Sequence, residues 1–252
     1  MSKRVVGIMG AMPEEIDGVV DLLGDVTTTT LGNRVYYSGR LNGTMVVVVF
    51  SRWGKVAAAT TISTLINVFG ITELIFSGVA GAIHHELNIG DVVIGKRMFQ
   101  HDMDARPLIA QYEIPLLDRL FFEGDEQLLS NAAAAVNTFL LRENIAKAIE
   151  VATLAQFNIT APKLYVGDIA SGDKFFSSSA DKETLKSRLP TVLCVEMEGA
   201  AVAQVCFEYN IPCCIIRTIS DAADEQSHID FVSFIQHVAS RYSVEIVKRM
   251  IG

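Results

Sequence analysis

Short apolar runs alternate along this chain with stretches whose apolar residues recur at helical spacing, the pattern of an α/β protein. Val5 to Met9 reads as the first strand. Gly10-Ala11-Met12-Pro13 turns into a helix with Pro13 near its first position and Glu14, Glu15 and Asp17 in its first turns; Leu22-Leu23-Gly24 closes it. Acids there suit the positive helix end. Val35 to Gly39 and Met45 to Phe50 flank Leu41-Asn42-Gly43, and an Asn-Gly turn between apolar runs predicts a hairpin. A helix is expected from about Val56 to Phe69, ended by Gly70. Strands follow at Glu73 to Phe76, which runs into a turn at Gly78-Val79-Ala80-Gly81, and at Val92 to Ile94. Arg97 to Phe122, with Pro107 and Pro115, is the least regular part, and long loops of this kind are functional or ordered by a partner. Asp125 to about Phe157 is helical with a break near Leu141 to Asn144. Leu164 to Ala170 is a strand, Ser178 to Arg188 a short polar helix, and Ile229 to Met250 the closing helix.

The stretch VLCVEMEGAAVAQVCFEYNIPCCIIRTISDAAD, Val192 to Asp224, organises the rest. An apolar strand ends in Glu196-Met197-Glu198-Gly199, an alanine-rich helix follows, and a second strand from Cys213 to Ile219 ends in Ser220-Asp221. Strand, helix and strand over about thirty residues predict a right-handed parallel crossover. Ligands of open α/β sheets bind at the carboxyl strand ends, so Glu196, Glu198 and Asp221 are expected in one crevice.

Composition narrows the class. The 252 residues, half of them hydrophobic, fit one α/β domain over 1–252 that buries roughly 70–75% of its unfolded surface without a staple. A formal charge of −8 and the lack of a basic stripe exclude a nucleic-acid partner and fit a soluble acidic surface. Four cysteines in apolar or strand positions read as buried free thiols. Pro13-Glu14-Glu15 interrupts the first apolar run, so no signal peptide is read, and no run reaches the roughly 20 residues of a membrane span. A cytoplasmic protein without a membrane partner is expected.

Candidate chemistry is sparse outside the carboxylates. There is no G-x-G-x-x-G and no Walker pattern; the Gly78 to Gly81 segment is either a tight turn or backbone passing close to a ligand. His101-Asp102-Met103-Asp104 lacks the further ligands a metal needs, so no metal is expected. His84, His85, His228 and His237 read as loop or surface residues. Phe175-Phe176 is either a core plug or a stacking platform. Glu15, Glu196, Glu198 and Asp221 each read singly as a solvated end-of-element charge. Three junctions delivering carboxylates to one place are different, because converging carboxylates make acid/base sites.

GAMPEE (10–15), SRWGKVAAA (51–59), ASGDKF (170–175), VEMEGAA (195–201) and RTISDAADEQSH (217–228) occur in this order. Together they resemble the 5′-methylthioadenosine/S-adenosylhomocysteine nucleosidases of the nucleoside phosphorylase superfamily. The resemblance covers nearly the whole chain and is weakest from Asp104 to Phe157. It implies a single-domain three-layer αβα fold around a mixed, twisted, partly barrel-like sheet. It also implies an adenine-nucleoside substrate, no cofactor, and a homodimer whose second subunit closes the pocket. In the roles it implies, Glu15 activates water and Asp221 protonates or hydrogen-bonds N7 of the leaving adenine. Glu198 holds the ribose 2′ and 3′ hydroxyls, with Met197 packing under the sugar. Phe175 stacks on the purine and Phe176 offers its backbone to the base edge. Ser220 orients Asp221, Arg217 holds the neighbouring acidic network, Met12, Trp53 and Phe231 line the 5′ pocket, and Glu196 is counted with the substrate-binding residues. Val79 stands where a small hydroxyl residue is usual and Trp53 where an aliphatic one is frequent, which opens the 5′ preference to question.

The chemistry fits such roles. Cleaving an N-glycosidic bond produces an oxocarbenium-like sugar and a poor anionic leaving group, so an acid on the purine and a base on water divide the work as in glycoside hydrolysis. The acid must hold a proton near neutral pH, which burial of an Asp would achieve. A phosphorylase on the same fold, with Arg52 as the nearby basic residue, a related hydrolase acting on aminofutalosine, and a non-catalytic nucleoside-binding protein are the alternatives. Glu15 opposes the first, since a carboxylate where phosphate would sit repels it.

Overall fold

The computed structural model describes residues 4–223 and 231–252. Asp224 to His228 of the last motif and the expected helix start at Ile229 therefore lie outside the described residues.

Among the described residues the strands are β1 (Val5–Gly10), β2 (Gly24–Leu31), β3 (Arg34–Leu41), β4 (Thr44–Phe50), β5 (Glu73–Ala82), β6 (Val92–Gln100), β7 (Phe122–Glu123), β8 (Leu164–Ser171), β9 (Val192–Glu196) and β10 (Cys213–Asp221). The helices are α1 (Asp17–Val20), α2 (Lys55–Asn67), α3 (Glu126–Phe139), α4 (Arg142–Ala148), α5 (Val151–Gln156), α6 (Ser179–Arg188), α7 (Gly199–Glu208), α8 (Phe231–Phe234) and α9 (Ser240–Ile251), the last two joined by a wider turn at 235–239. All ten strands form one mixed sheet. Alternation sorts its residues onto two faces. Val6, Ile8, Val46 and Val48 join α3 and α9 residues in one core, whereas Met9, Val47 and Val49 join α2 and α7 residues in the other. The result is an α/β fold of three layers.

The sheet also closes on itself. β5 pairs with β9, β9 with β8, β8 with β6, β6 with β10, and β10 with β5, which makes a five-strand ring with β1, β4, β3 and β2 as an extension from β5. This overturns the expected parallel crossover. β9 runs antiparallel to β5 while β10 runs parallel to it, so β9 and β10 point in opposite directions and are not neighbours. Both edges of β9 are taken by β8 and β5, which leaves α7 to lead the chain across the ring instead.

Other elements shift in informative ways. The Asn42-Gly43 hairpin forms, both residues having positive φ as the tight turn requires. Gly78 to Gly81 is not a turn but the second half of β5, paired along its length with β10. The first helix shrinks to a single tight turn at Pro13–Glu15 followed by α1. β2 escaped notice because every one of its residues is exposed, so its threonine run carries no alternation. The helical stretch after Asp125, whose side chain caps α3 by accepting from the Leu128 amide at 2.9 Å, breaks at Leu140–Leu141 and again at Ile149–Glu150.

Candidate active site

The ring's geometry brings carboxylates together in a way the crossover would not. Gly81 on β5 lies opposite Asp221 of β10 on one side and Val195 of β9 on the other. The carboxyl tips of three strands thus meet at one glycine. A Cβ at Gly81 would stand 2.9 Å from both Asp221 Oδ1 and Ala223 Cβ, so only glycine lets that carboxyl lie against the strand. β1, beside β5, ends at Gly10 and delivers the Pro13–Glu15 turn to the same end.

Glu15 is not a solvated first-turn charge. It is buried, and its Oε2 accepts from the amides of Ala11 at 2.6 Å and Met12 at 3.0 Å, which is what curls the chain into that tight turn. Burial raises its pKa from 4.5 to about 7, although the Arg217 charge and the amides of Ala11, Met12 and Val79 pull the other way. Oε1 is buried and makes no well-formed hydrogen bond among the described residues.

Glu196 is committed elsewhere. Its Oε2 meets Arg217 Nη2 at 2.6 Å, and its two oxygens also accept from the Gly199 amide at 2.8–3.0 Å, the Glu198 amide at 3.1 Å and the Ser171 hydroxyl. Arg217 is fully buried, donates to the carbonyls of Phe76 and Ile216, and lies 4.1 Å from the Phe76 ring. Burial works against its charge, and the carboxylates of Glu196, Glu198 and Glu15 outweigh that. A pair this enclosed fixes geometry more than it adds stability. Glu198 accepts from the Gly54 amide at 2.8 Å; burial first, then the Glu196 charge, push it up to about 8.

Asp221 is held on both oxygens. Oδ2 accepts from the Ser220 hydroxyl at 2.7 Å and Oδ1 from the Ala223 amide at 2.8 Å. Phe175 is half-exposed and meets Phe231 edge-on at 5.9 Å, while Phe176 is buried against His101. All of these surround one cavity. Its walls include each residue singled out from the sequence: Met12, Glu15, Trp53, Val79, Phe175, Phe176, Glu196, Met197, Glu198, Arg217, Ser220, Asp221 and Phe231. Lys174, ion-paired to Asp181 at 2.7 Å, also lines it and was not foreseen, nor was the Gly54 amide's bond to Glu198. Neither carries a sequence signal, because both depend on where a loop passes.

Arg52 lies outside that cavity, in an adjoining open groove of about 950 Å³ walled by Met12, Phe50, Trp53, Phe231, Val232 and Ile235. Asp102 is bonded to Lys55 and to the Asp173 amide, whereas His101 packs edge-on against Phe176. No group of three or more His, Cys, Asp or Glu among the described residues is placed to hold a metal.

Comparison with known proteins adds the following. Residues 5–252 match the model of the phosphorylase superfamily. An aminodeoxyfutalosine nucleosidase of Helicobacter pylori is 33% identical over 253 residues, 98% of this chain and 97% of that protein. A 5′-methylthioadenosine/S-adenosylhomocysteine nucleosidase of Bacillus subtilis is 33% identical over 247 residues, again 98% and 97%. A crystal structure of the Neisseria meningitidis enzyme of that name with methylthio-immucillin-A superposes with a TM-score of 0.86, at 32% identity and 98% coverage of both chains.

Proposed function

The chain belongs to the phosphorylase superfamily and is a nucleosidase, an N-glycosidic hydrolase, and from that premise we propose that it releases adenine from 5′-methylthioadenosine, S-adenosylhomocysteine or a nucleoside of the same plan. The observation that carries this reading is the meeting of Glu15, Glu198 and Asp221, from three distant segments, around one cavity. In the proposed mechanism the purine lies against Phe175 with N7 toward Asp221, and the ribose hydroxyls reach Glu198. Water sits at Glu15 Oε1 and attacks the anomeric carbon as the glycosidic bond loosens. Glu15 takes the water's proton, Asp221 supplies one to the purine, and each step of this kind is worth roughly 10²–10⁴ in rate. Arg217, bound to Glu196, keeps the acids in place and neutralises part of their charge.

Phosphorolysis is disfavoured by the same geometry. Arg52 stands in the outer groove with Nη2 on the Asn33 carbonyl at 2.6 Å, and Arg217 is taken by Glu196. The outer groove favours a second reading for the 5′ group. It shares Ala11, Met12, Trp53 and Phe231 with the cavity, so a substituent larger than methylthio, with a carboxylate for Arg52, fits there. A homodimer is proposed on the strength of Trp53, Val56, Leu108 and Leu116, all largely exposed apolar residues of a kind that marks contact surfaces. Four buried free thiols support a cytoplasmic setting, and no described helix is long and apolar enough to cross a membrane.

The test is adenine release from methylthioadenosine, adenosylhomocysteine and adenosine, each with and without phosphate. Release that is independent of phosphate is expected. Strict phosphate dependence would make the protein a phosphorylase, and binding without release would make it a nucleoside-binding protein.

A further inference from the structure

The loop from Gly172 to Phe176, which carries the two phenylalanines, is tied to the start of α2. The Asp173 carboxylate accepts from the Lys55 amide at 2.8 Å, and the Asp173 amide donates to Asp102 Oδ2 at 3.0 Å. Lys55 Nζ closes the circuit, 2.6 Å from Asp102 Oδ1 and 3.3 Å from Gln100 Oε1. The preceding amide, that of Gly54, is the one bonded to Glu198. Two consecutive amides at one helix end therefore grip two carboxylates from distant segments. The unsatisfied amides and positive end of a helix suit both. Gly54 has a φ of +92°, and a Cβ there would stand 2.9 Å from Asp173 Oδ1, so the approach needs glycine. The Lys55–Asp102 pair is partly shielded, with side chains 18% and 32% exposed, which spares it much of the screening that weakens surface pairs. Asp102 is held below its ordinary pKa; burial opposes this, and Lys55 with the Asp173 amide prevails.

We infer that Lys55, Asp102 and Asp173 are positioning residues that lock the purine-stacking loop to the N-terminus of α2 and, through the Gly54 amide, to Glu198, so that the grips on base and sugar are set as one unit. The inference rests on the reading that Phe175 and Phe176 take the base and Glu198 the ribose. The two amides lie on consecutive peptide units that meet at the Gly54 Cα, so releasing Asp173 loosens the start of α2 from which the Gly54 amide reaches Glu198.

The experiment compares wild type with Lys55→Met, Asp173→Ala and Lys55→Arg. Measured are the adenine Kd by calorimetry, kcat and KM for methylthioadenosine and its 2′-deoxy analogue, and Tm. Lys55→Met and Asp173→Ala should raise adenine Kd and KM about tenfold, the scale of one charge-assisted hydrogen bond. They should also lower the preference for the riboside over the 2′-deoxyriboside, while Lys55→Arg keeps both near wild type. A lower Tm with adenine Kd and sugar preference unchanged would overturn the inference; so would weaker adenine binding with sugar preference intact. If either variant fails to fold, Asp102→Asn, which keeps shape and removes the charge, takes its place under the same criteria. Where wild type releases no adenine, the sugar preference is read instead from the Kd values of methylthioadenosine and its 2′-deoxy analogue under the same criteria, so that outcome sinks the hydrolase reading alone.

Discussion

Glu15→Gln should cost the enzyme its activity and make the fold more stable, and the two effects share one cause. The native carboxyl titrates at about 7 against 4.5 for an ordinary glutamate, because burial opposes its charge more than Arg217 and the backbone amides favour it. A folded-state pKa raised in this way means the folded protein binds more protons than the unfolded chain between those values. Stability therefore falls as pH rises from about 4.5 to 7. At 1.36 kcal/mol per pH unit the ionised group costs the fold about 3 kcal/mol at pH 8 and under about 1 kcal/mol at pH 5. Glutamine mimics the protonated acid: its carbonyl still accepts from Ala11 and Met12, and it never ionises. Urea titrations of both proteins at the two pH values should show the variant more stable by about 3 kcal/mol at pH 8, with most of the difference gone at pH 5. Adenine release by the variant should fall by at least about 10²-fold, and the wild-type rate should climb with pH through about 7 as the base deprotonates. A variant no more stable than wild type at pH 8 would refute the burial argument, and one that turns over normally would refute the role as base.

Asp221→Asn should lower turnover by about 10²–10⁴ while inhibitor affinity changes little, and unchanged adenine release would remove it from the chemistry. Gly81→Ala should reproduce part of that loss in kcat, since the new methyl displaces the Asp221 carboxyl; a normal kcat would mean its position is not critical. Glu198→Ala should weaken ribosides about 10- to 100-fold in kcat/KM and 2′-deoxyribosides far less, whereas equal effects would contradict the sugar contact. Trp53→Ala, which removes the wall between cavity and outer groove, should shift kcat/KM about tenfold away from methylthioadenosine toward nucleosides with longer 5′ groups; an unchanged ratio would show that Trp53 does not set that preference.

What could be read in advance followed local rules. Asn42-Gly43 announced its hairpin, Asp125 and Ser178 capped the helices expected after them, and Gly70, with φ of +63°, stands past the end of α2. The site residues were legible because each motif sits at an element end, where side chains face a cavity. What failed was long-range. Nothing in VLCVE or CCIIRTISD says that β9 and β10 run in opposite directions, since direction is set by which edges β5, β6 and β8 offer. The same holds for Glu196 and Glu198, two residues apart on the chain. Their sequence context is nearly equal, yet Arg217, Ser171 and the Gly199 amide claim the first, while among the described residues the second has only the Gly54 amide. Partners that arrive from 21 or 144 residues away decide which acid stays structural and which faces the ligand.

That division of labour bears on why water rather than phosphate is the proposed nucleophile. Among the described residues four acids line the cavity against two cations, and each cation is already paired: Arg217 with Glu196, Lys174 with Asp181. A phosphate dianion at the anomeric carbon would meet the Glu15 carboxylate at close range. Two like charges 4 Å apart repel by about 4 kcal/mol at an effective dielectric of 20, and the dianion doubles it. Protonating Glu15 would relieve the repulsion, but a phosphate anion also calls for cationic partners, and both cations are engaged by other carboxylates. Water carries no such penalty, and a carboxylate titrating at about 7 is matched to accept its proton at neutral pH. The burial that opposes the Glu15 charge is thus the property that suits it to activate a neutral nucleophile.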